Sequence, residues 1–312
     1  MEFAIIDEHT FQTYANTAIN RNVWQSTMMC HLRETNGWHT HYVAMREAGD
    51  IVAAAALVSY PVCKDYCLFQ ALRGFLIDYQ NEKLLECFSK AVIAYIKERK
   101  GIHFSMDPYV IVQERDKYGK AIEGGIHQEE LVSVLQKLGY THQGFDVGVE
   151  EEKGEPRWMY VLPLSGKEEA TLLKDMNQLT RRCIKKTQRE GFSMVELKRE
   201  ELHRFRDIIT QTAKRKGFSD RPLSYYETMY DVFGSHIKYW LIVMDADAYC
   251  HSLQEEKKKE ERKLAQVQET LNSHPDHEKS YNKRNGILDT LASLAKKEKE
   301  ALALKERYGN EI

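Results

Sequence analysis

What most restricts the fold of this chain is that its second half repeats the outline of its first. In the first half a short strand over residues 3–6 leads into helical stretches at 10–17 and 26–34. Residues 39–46 and 51–60 read as two strands joined by the turn Glu47-Ala48-Gly49-Asp50, and residues 67–72 can add a third strand. Residues 81–100 put Leu84, Leu85, Phe88, Val92, Tyr95 and Ile96 on one helical face, with Gly101 as the stop. A strand over 102–106 runs into Asp107-Pro108, and a helix over 131–138 ends at Gly139. An acidic joint at 150–155 marks a boundary. Beyond it, a strand at 158–162, a basic helix, a strand at 193–197, helices at 201–216 and 223–232 and a strand at 238–245 follow the same order.

The repeat is interrupted where the last strand should turn back. Residues 247–253 lead instead into a charge-dense helix over 254–271, a turn at Asn272-Ser273-His274-Pro275-Asp276, and a second helix over 283–307. Leu264, Val267 and Leu271 on one arm and Ile287, Leu291 and Leu294 on the other fit an antiparallel helical hairpin, a coiled coil. Pairs such as Glu256–Lys259, Lys257–Glu261 and Lys296–Glu300 support its exposed faces. The closing Tyr-Gly-Asn-Glu-Ile resembles the turn at 47–51, which implies a return strand barely begun and a second domain that is incomplete. The expected organisation is a first domain over 1–150, part of a second over 151–250, a hairpin insertion over 251–308 and the start of a return strand over 309–312.

With 42% hydrophobic and 29% charged residues the chain can bury a sizeable core, and its net charge of -2 makes any anion-binding surface a local one. The six cysteines are scattered, with only Cys63 and Cys67 close together, so free thiols in a reducing compartment are expected and no metal site. His39, His41 and the Cys30-His31 pair lack further ligands at matching spacing. The first ten residues carry Glu2, Asp7 and Glu8 without a basic leader, and the longest apolar run, 51–60, cannot span a bilayer, so a cytoplasmic protein is expected.

One local cationic surface stands out. Leu172, Met176, Leu179 and Cys183 recur at helical spacing and form an expected packing stripe, with Arg181, Arg182, Lys185, Lys186 and Arg189 on the other side of the same helix. A solvated helix face is the plain alternative. Two successive units of strand, helix pair, strand hairpin, helix and strand imply an α/β (α+β) chain of tandem acetyltransferase-like (GNAT-like) domains. Coenzyme A enzymes of that class carry a Q/R-x-x-G-x-G/A loop for pyrophosphate; the nearest stretch here, Arg46-Glu47-Ala48-Gly49, lies in a hairpin turn and lacks the second small residue, so no cofactor is expected. No nucleophile-elbow, Walker-type or dinucleotide loop is present.

The chain resembles the FemABX family, the bridge-forming aminoacyltransferases of peptidoglycan synthesis. The likeness rests on Trp24-Gln25-Ser26, Phe-Ser-Met-Asp-Pro at 104–108, Trp-Met-Tyr-Val-Leu-Pro-Leu at 158–164 with the basic helix behind it, Gly-Phe-Ser-Asp-Arg-Pro-Leu-Ser-Tyr-Tyr at 217–226, and the hairpin. The resemblance implies transfer of an amino acid from aminoacyl-tRNA to the stem-peptide amine of a precursor, lipid II or a UDP-linked muropeptide. It places Asp107 in the peptide cleft as the catalytic carboxylate, to hold the attacking ammonium or take its proton. A turn-initiating Asp-Pro is the plain alternative. It likewise makes Arg221 and Tyr225, four apart across a helix start at Pro222, the precursor-binding pair. Some relatives carry a tyrosine five residues before the aspartate, where this chain has Ile102. The cations at 181–189 are the expected tRNA contacts, and no DNA partner is expected. A binding scaffold that uses the hairpin, or a coenzyme A-dependent N-acyltransferase, would be the alternatives.

Overall fold

A computed structural model describes residues 1–145, 158–275 and 277–310. The expected joint at 150–155, Asp276 of the expected turn, and Glu311 and Ile312 of the expected return strand lie outside the described residues. The chain is a mixed α/β protein of two compact units, Met1–Met159 with Ser224–Ile237, and Tyr160–Leu223 with Lys238–Ile312.

The first unit runs β1 (Glu2–Ile5), α1 (Glu8–Thr17), α2 (Thr27–Glu34), β2 (His39–Glu47), β3 (Asp50–Cys63), β4 (Tyr66–Ala71), α3 (Glu82–Glu98), β5 (Gly101–Met106) and α4 (Glu130–Lys137). Asp7, Ser26 and Asn81 cap α1, α2 and α3, each accepting a backbone N–H three residues on. The strands form one sheet in chain order, antiparallel from β1 to β4, while β4 and β5 are parallel, with Phe69 opposite Phe104 and Ala71 opposite Met106. Both faces are covered. Ala53, Ala55 and Leu57 of β3 pack toward Leu85, Phe88 and Val92 of α3, and Ala54 and Ala56 toward Phe11 and Ala15 of α1 and Cys30 of α2. The run of four alanines leaves room for helices to lie close on either side, so an apolar run without alternation becomes a central strand.

In the second unit α5 (Glu169–Asp175) and α6 (Gln178–Arg189) precede β6 (Phe192–Leu197) and α7 (Leu202–Lys216). The single helix expected through Leu172 and Arg189 is thus two helices. Met176 adopts ψ 150, and Asn177 accepts the Thr180 N–H at 2.8 Å, starting a new helix with a preferred cap. The expected packing stripe fails with it: Leu179 is 65% exposed and Cys183 exposed, while Thr180, Arg181 and Ile184 are the partly covered positions. The strand expected at 158–162 is also not formed. Tyr160 is 90% exposed, and no ladder partner lies beside the segment among the described residues, because an alternating pattern makes a strand only when a neighbour accepts its hydrogen bonds.

The next helix, α8 (Leu223–Phe233), belongs from Ser224 onward to the first unit. Phe233, Met229 and Tyr225 pack there with Met29 and Leu32 of α2. The chain then returns to the second unit as β7 (Tyr239–Met244), antiparallel to β6, followed by α9 (Ala246–Ser273) and α10 (Glu278–Tyr308). Residues 247–253, expected as a connection, are the first turns of α9, because Asp245 caps it through Ala248 and Cys250 and Leu253 pack on Leu294 and Ala301. Val267 and Leu271 meet Ile287 farther out, so α9 and α10 lie antiparallel. Lys257 pairs across to Glu298 at 3.6 Å rather than along its own helix to Glu261. At the base, Asn310 accepts the Ala246 and Asp247 N–H groups, and Lys305 pairs with Asp247. No helix among the described residues is long and apolar enough to cross a membrane.

Candidate functional site

The parallel β4–β5 pair sets up the site. Parallel neighbours leave the sheet at the same end, so Leu72-Arg73-Gly74 after β4 and Asp107-Pro108-Tyr109 after β5 lie side by side. The Arg73 N–H donates to Asp107 Oδ1 at 2.8 Å, and Arg73 Nε stands 3.7 Å from Oδ2. The Tyr109 N–H returns a bond to the Arg73 carbonyl at 3.1 Å, and the Arg73 guanidinium lies 5.8 Å from the Tyr109 ring centre. The Arg73 side chain is 13% exposed and that of Asp107 45%, so the cation is largely buried and the carboxylate reaches solvent.

Backbone geometry makes the approach possible. Arg73 has φ 56, and Gly74, with φ 74, lies so close to Pro108 that an added Cβ would fall 2.7 Å from its Cα. Side chains from earlier in the chain hold this turn. Buried Gln25 donates to the carbonyls of Ala56 and Leu72 and accepts the Ala56 N–H at 2.8 Å, bridging the gap between β3 and the end of β4. Asn20 donates to the Phe75 carbonyl and accepts the Ile77 N–H, and the Tyr79 hydroxyl accepts the Phe75 N–H at 2.8 Å. Burial raises the Tyr79 phenol above its ordinary range, so it serves as a neutral strut. The result is a carboxylate in a fixed orientation, able to accept a hydrogen bond or a proton from a ligand cation.

The other expected site residues are distributed. On α6, Arg181 turns back to donate to the Lys174 carbonyl at 2.8 Å, Lys186 stands 3.7 Å from Glu190, and Arg189 stands 3.7 Å from Glu256 of α9. Arg182 and Lys185 are exposed and form no ion pair among the described residues. The five cations are therefore not one uniform face. Arg221 is exposed in the second unit, whereas Tyr225 is half-buried on α8 in the first, its ring 5.7 Å from that of Tyr226 in an edge-on contact. Ile102 is 60% exposed on β5. Among the described residues no group of His, Cys, Asp and Glu could hold a metal ion.

Sequence reasoning missed Arg73, Asn20 and Tyr79 and did not give Gln25 a role. An Arg-Gly pair directly after a strand was the available signal for the first; the others become visible only when the two strand ends are seen together.

Residues 6–312 match the FemAB family. The Staphylococcus epidermidis protein named aminoacyltransferase FemA is 27% identical over 313 residues, covering 100% of this chain and 75% of that one. Its Staphylococcus aureus (strain NCTC 8325 / PS 47) namesake is 26% identical, with 100% and 74% covered. The crystal structure of FemX is similar at a TM-score of 0.69 with 22% identity, covering 100% of this chain and 75% of that one, which shows a shared fold.

Proposed function

The chain belongs to the FemAB family, and from that premise we propose that it is an aminoacyltransferase that builds the interpeptide bridge of peptidoglycan, taking its amino acid from aminoacyl-tRNA. The observation that carries this reading is the match along residues 6–312, together with relatives named as aminoacyltransferases over their shared length. The acceptor is the stem-peptide amine of lipid II or of a UDP-linked precursor, met on the cytoplasmic side. Four antiparallel strands, with a fifth lying parallel to the last of them, support reading the first unit as acetyltransferase-like. The second unit is read as a second copy of that fold into which α9 and α10 are inserted as a coiled coil.

In this reaction the amine nitrogen attacks the ester carbonyl carbon, a C–N bond forms, and the C–O bond to the tRNA ribose breaks. The ammonium gives up one proton before attack and the attacking nitrogen a second afterwards; the ribose oxygen gains one and the other passes to solvent. Asp107, held by the Arg73 N–H and guanidinium, accepts the ammonium's hydrogen bond and takes its proton. The ester is already activated, so alignment and charge stabilisation supply most of the remaining acceleration. Arg221 and Tyr225 bind the anionic part of the precursor, and the 181–189 cations meet tRNA phosphates, Arg182 and Lys185 foremost because the other three are already engaged.

The test supplies the protein with lipid II and a panel of charged tRNAs and reads the product by mass spectrometry. Transfer from at least one tRNA is expected. Asp107→Asn, which keeps the acceptor oxygen for the Arg73 N–H but is not basic, should lower kcat by roughly a hundredfold or more. Acylation supported by acetyl-coenzyme A and by no charged tRNA would overturn the proposal.

A further inference from the structure

The segment between β5 and α4 is a folded projection. Isolated bridges pair Gln113 with His127 and Arg115 with Ala121, and backbone bonds tie Glu114 to Ile122 and Ile126. Two of its acids are turned onto its own backbone. Asp116 accepts the N–H groups of Tyr118 and Lys120, both at 2.9 Å, and Glu114 accepts that of Ile126 at 2.9 Å. Its cations divide differently. Arg115 donates to the Gly119 carbonyl at 2.8 Å and lies 5.2 Å from the Trp158 ring centre, whereas Lys117 and Lys120 form no ion pair among the described residues. Between those lysines Tyr118 is 76% exposed, with Lys117 Nζ 5.1 Å from its ring centre. Ile122, whose N–H donates to the Glu114 carbonyl, and Trp158, beside Arg115, are 47% and 55% exposed, and Ile111, four residues before Arg115, is 54% exposed.

The loop thus sets exposed aromatic and aliphatic groups beside two lysines that form no ion pair among the described residues, with Glu123 as an exposed acid next to Ile122. That combination matches the boundary of an anionic bilayer, where apolar side chains enter the headgroup region and lysines meet lipid phosphates. Nucleic acid fits less well, since the isoleucines add nothing on a phosphodiester surface and Arg115, the residue suited to forked phosphate contacts, is occupied within the loop.

We propose that residues 115–122 are a membrane-docking tip, with Tyr118 and Ile122 entering an anionic phospholipid surface and Lys117 and Lys120 pairing with its phosphates. Asp107 is eight residues from Arg115, the first residue of the tip, so the chain cannot separate the two by more than about 29 Å. Docking would therefore hold the carboxylate near a membrane-anchored acceptor. This deepens the proposed function and rests on it only for the identity of that acceptor.

The test is co-sedimentation of the protein with vesicles of phosphatidylglycerol and phosphatidylcholine in equal parts, against vesicles of phosphatidylcholine alone. Binding should require the anionic lipid and weaken with salt. Lys117→Glu with Lys120→Glu should lower partitioning roughly tenfold or more, at about 1 kcal/mol per lysine before reversal is counted. Tyr118→Ser should lower it at every salt concentration, and the unfolding midpoint should stay unchanged in both variants. Equal partitioning of wild type and the double variant, or absence of binding to the anionic vesicles at low salt, would overturn the proposal. So would loss of tRNA binding in the double variant with vesicle binding intact. Vesicle binding needs no turnover, so docking without transfer from any charged tRNA would fail the proposed function and leave the docking surface standing.

Discussion

Arg73 occupies backbone space that costs a residue with a side chain roughly 1–2 kcal/mol, yet its N–H and its guanidinium both address Asp107. The two contributions separate by substitution. Arg73→Gly relieves the backbone and keeps the N–H, so it should be about 1 kcal/mol more stable than Arg73→Ala in urea unfolding. Both variants should lose transfer activity alike if the guanidinium sets the carboxylate; recovery of activity in the glycine variant would show that backbone shape alone is needed. His41 is a second residue with a specific consequence. Its ring lies 3.0 Å from the Tyr95 hydroxyl and 2.9 Å from Ser59 Oγ, and burial, with Arg99 and His39 adding to it, lowers its pKa to about 4. The folded state thus holds the neutral ring while the unfolded chain titrates near 6.5. The stability this histidine confers is complete above pH 6.5 and is lost as pH falls toward 4, because only the unfolded state gains the proton. Urea midpoints should drop between pH 7 and pH 5, and by less in His41→Gln.

Among the elements, α6 is the one whose surface changes most once partners are counted. Its twelve residues make an amphipathic helix on paper, but none is buried, and three of its cations are engaged by Lys174, Glu190 and Glu256. Arg182 and Lys185, one turn apart, remain as its open charges. If they meet tRNA phosphates, Arg182→Glu with Lys185→Glu should weaken tRNA binding and reduce the slope of log affinity against log salt by somewhat under one unit per contact. An unchanged slope would move the tRNA surface elsewhere, and shortening α9 and α10 together would then be the variant to measure. The base of those helices is well tied for such a deletion, since Gly191 lies against Ala248 with room for no Cβ and its carbonyl accepts the Asp245 N–H at 3.0 Å.

On the scale of the whole molecule the path of the chain matters more than any one element. After α7 it crosses into the first unit for Ser224–Ile237 and then goes back, so each unit is built from two separate stretches. Phe233 is 5% exposed in a cluster with Met29 and Leu32, residues about two hundred positions away in the sequence. Phe233→Ala should therefore cost roughly 3–5 kcal/mol, and the loss should appear as faster amide exchange in α2 of the first unit. Exchange that quickens only in the second unit would contradict this packing.

Local chemistry made several elements legible in the sequence alone. The apolar stripe of α3 lies on its buried face, the Asn81 cap starts it, and the Ala48-Gly49 turn joins β2 to β3 with positive φ at both residues. Periods of 3.6 and 2, caps and turn residues act over a few positions, so a single sequence carries them. Membership of the family was legible for the same reason, through short motifs in a set order. What the sequence could not supply were features that depend on which distant segments become neighbours. Among the described residues the stretch at 158–162 has a strand's alternation and no neighbouring strand, α6 has an amphipathic pattern but leaves Leu179 and Cys183 exposed, and α8 joins the first unit despite its place in the repeat. Asp107 was visible as a residue, but its setting was not. Only the parallel pairing of β4 with β5 brings Arg73 to it, and only tertiary packing sets Gln25 beneath the turn, because the bonds that fix that carboxylate join positions 34 and 47 residues apart.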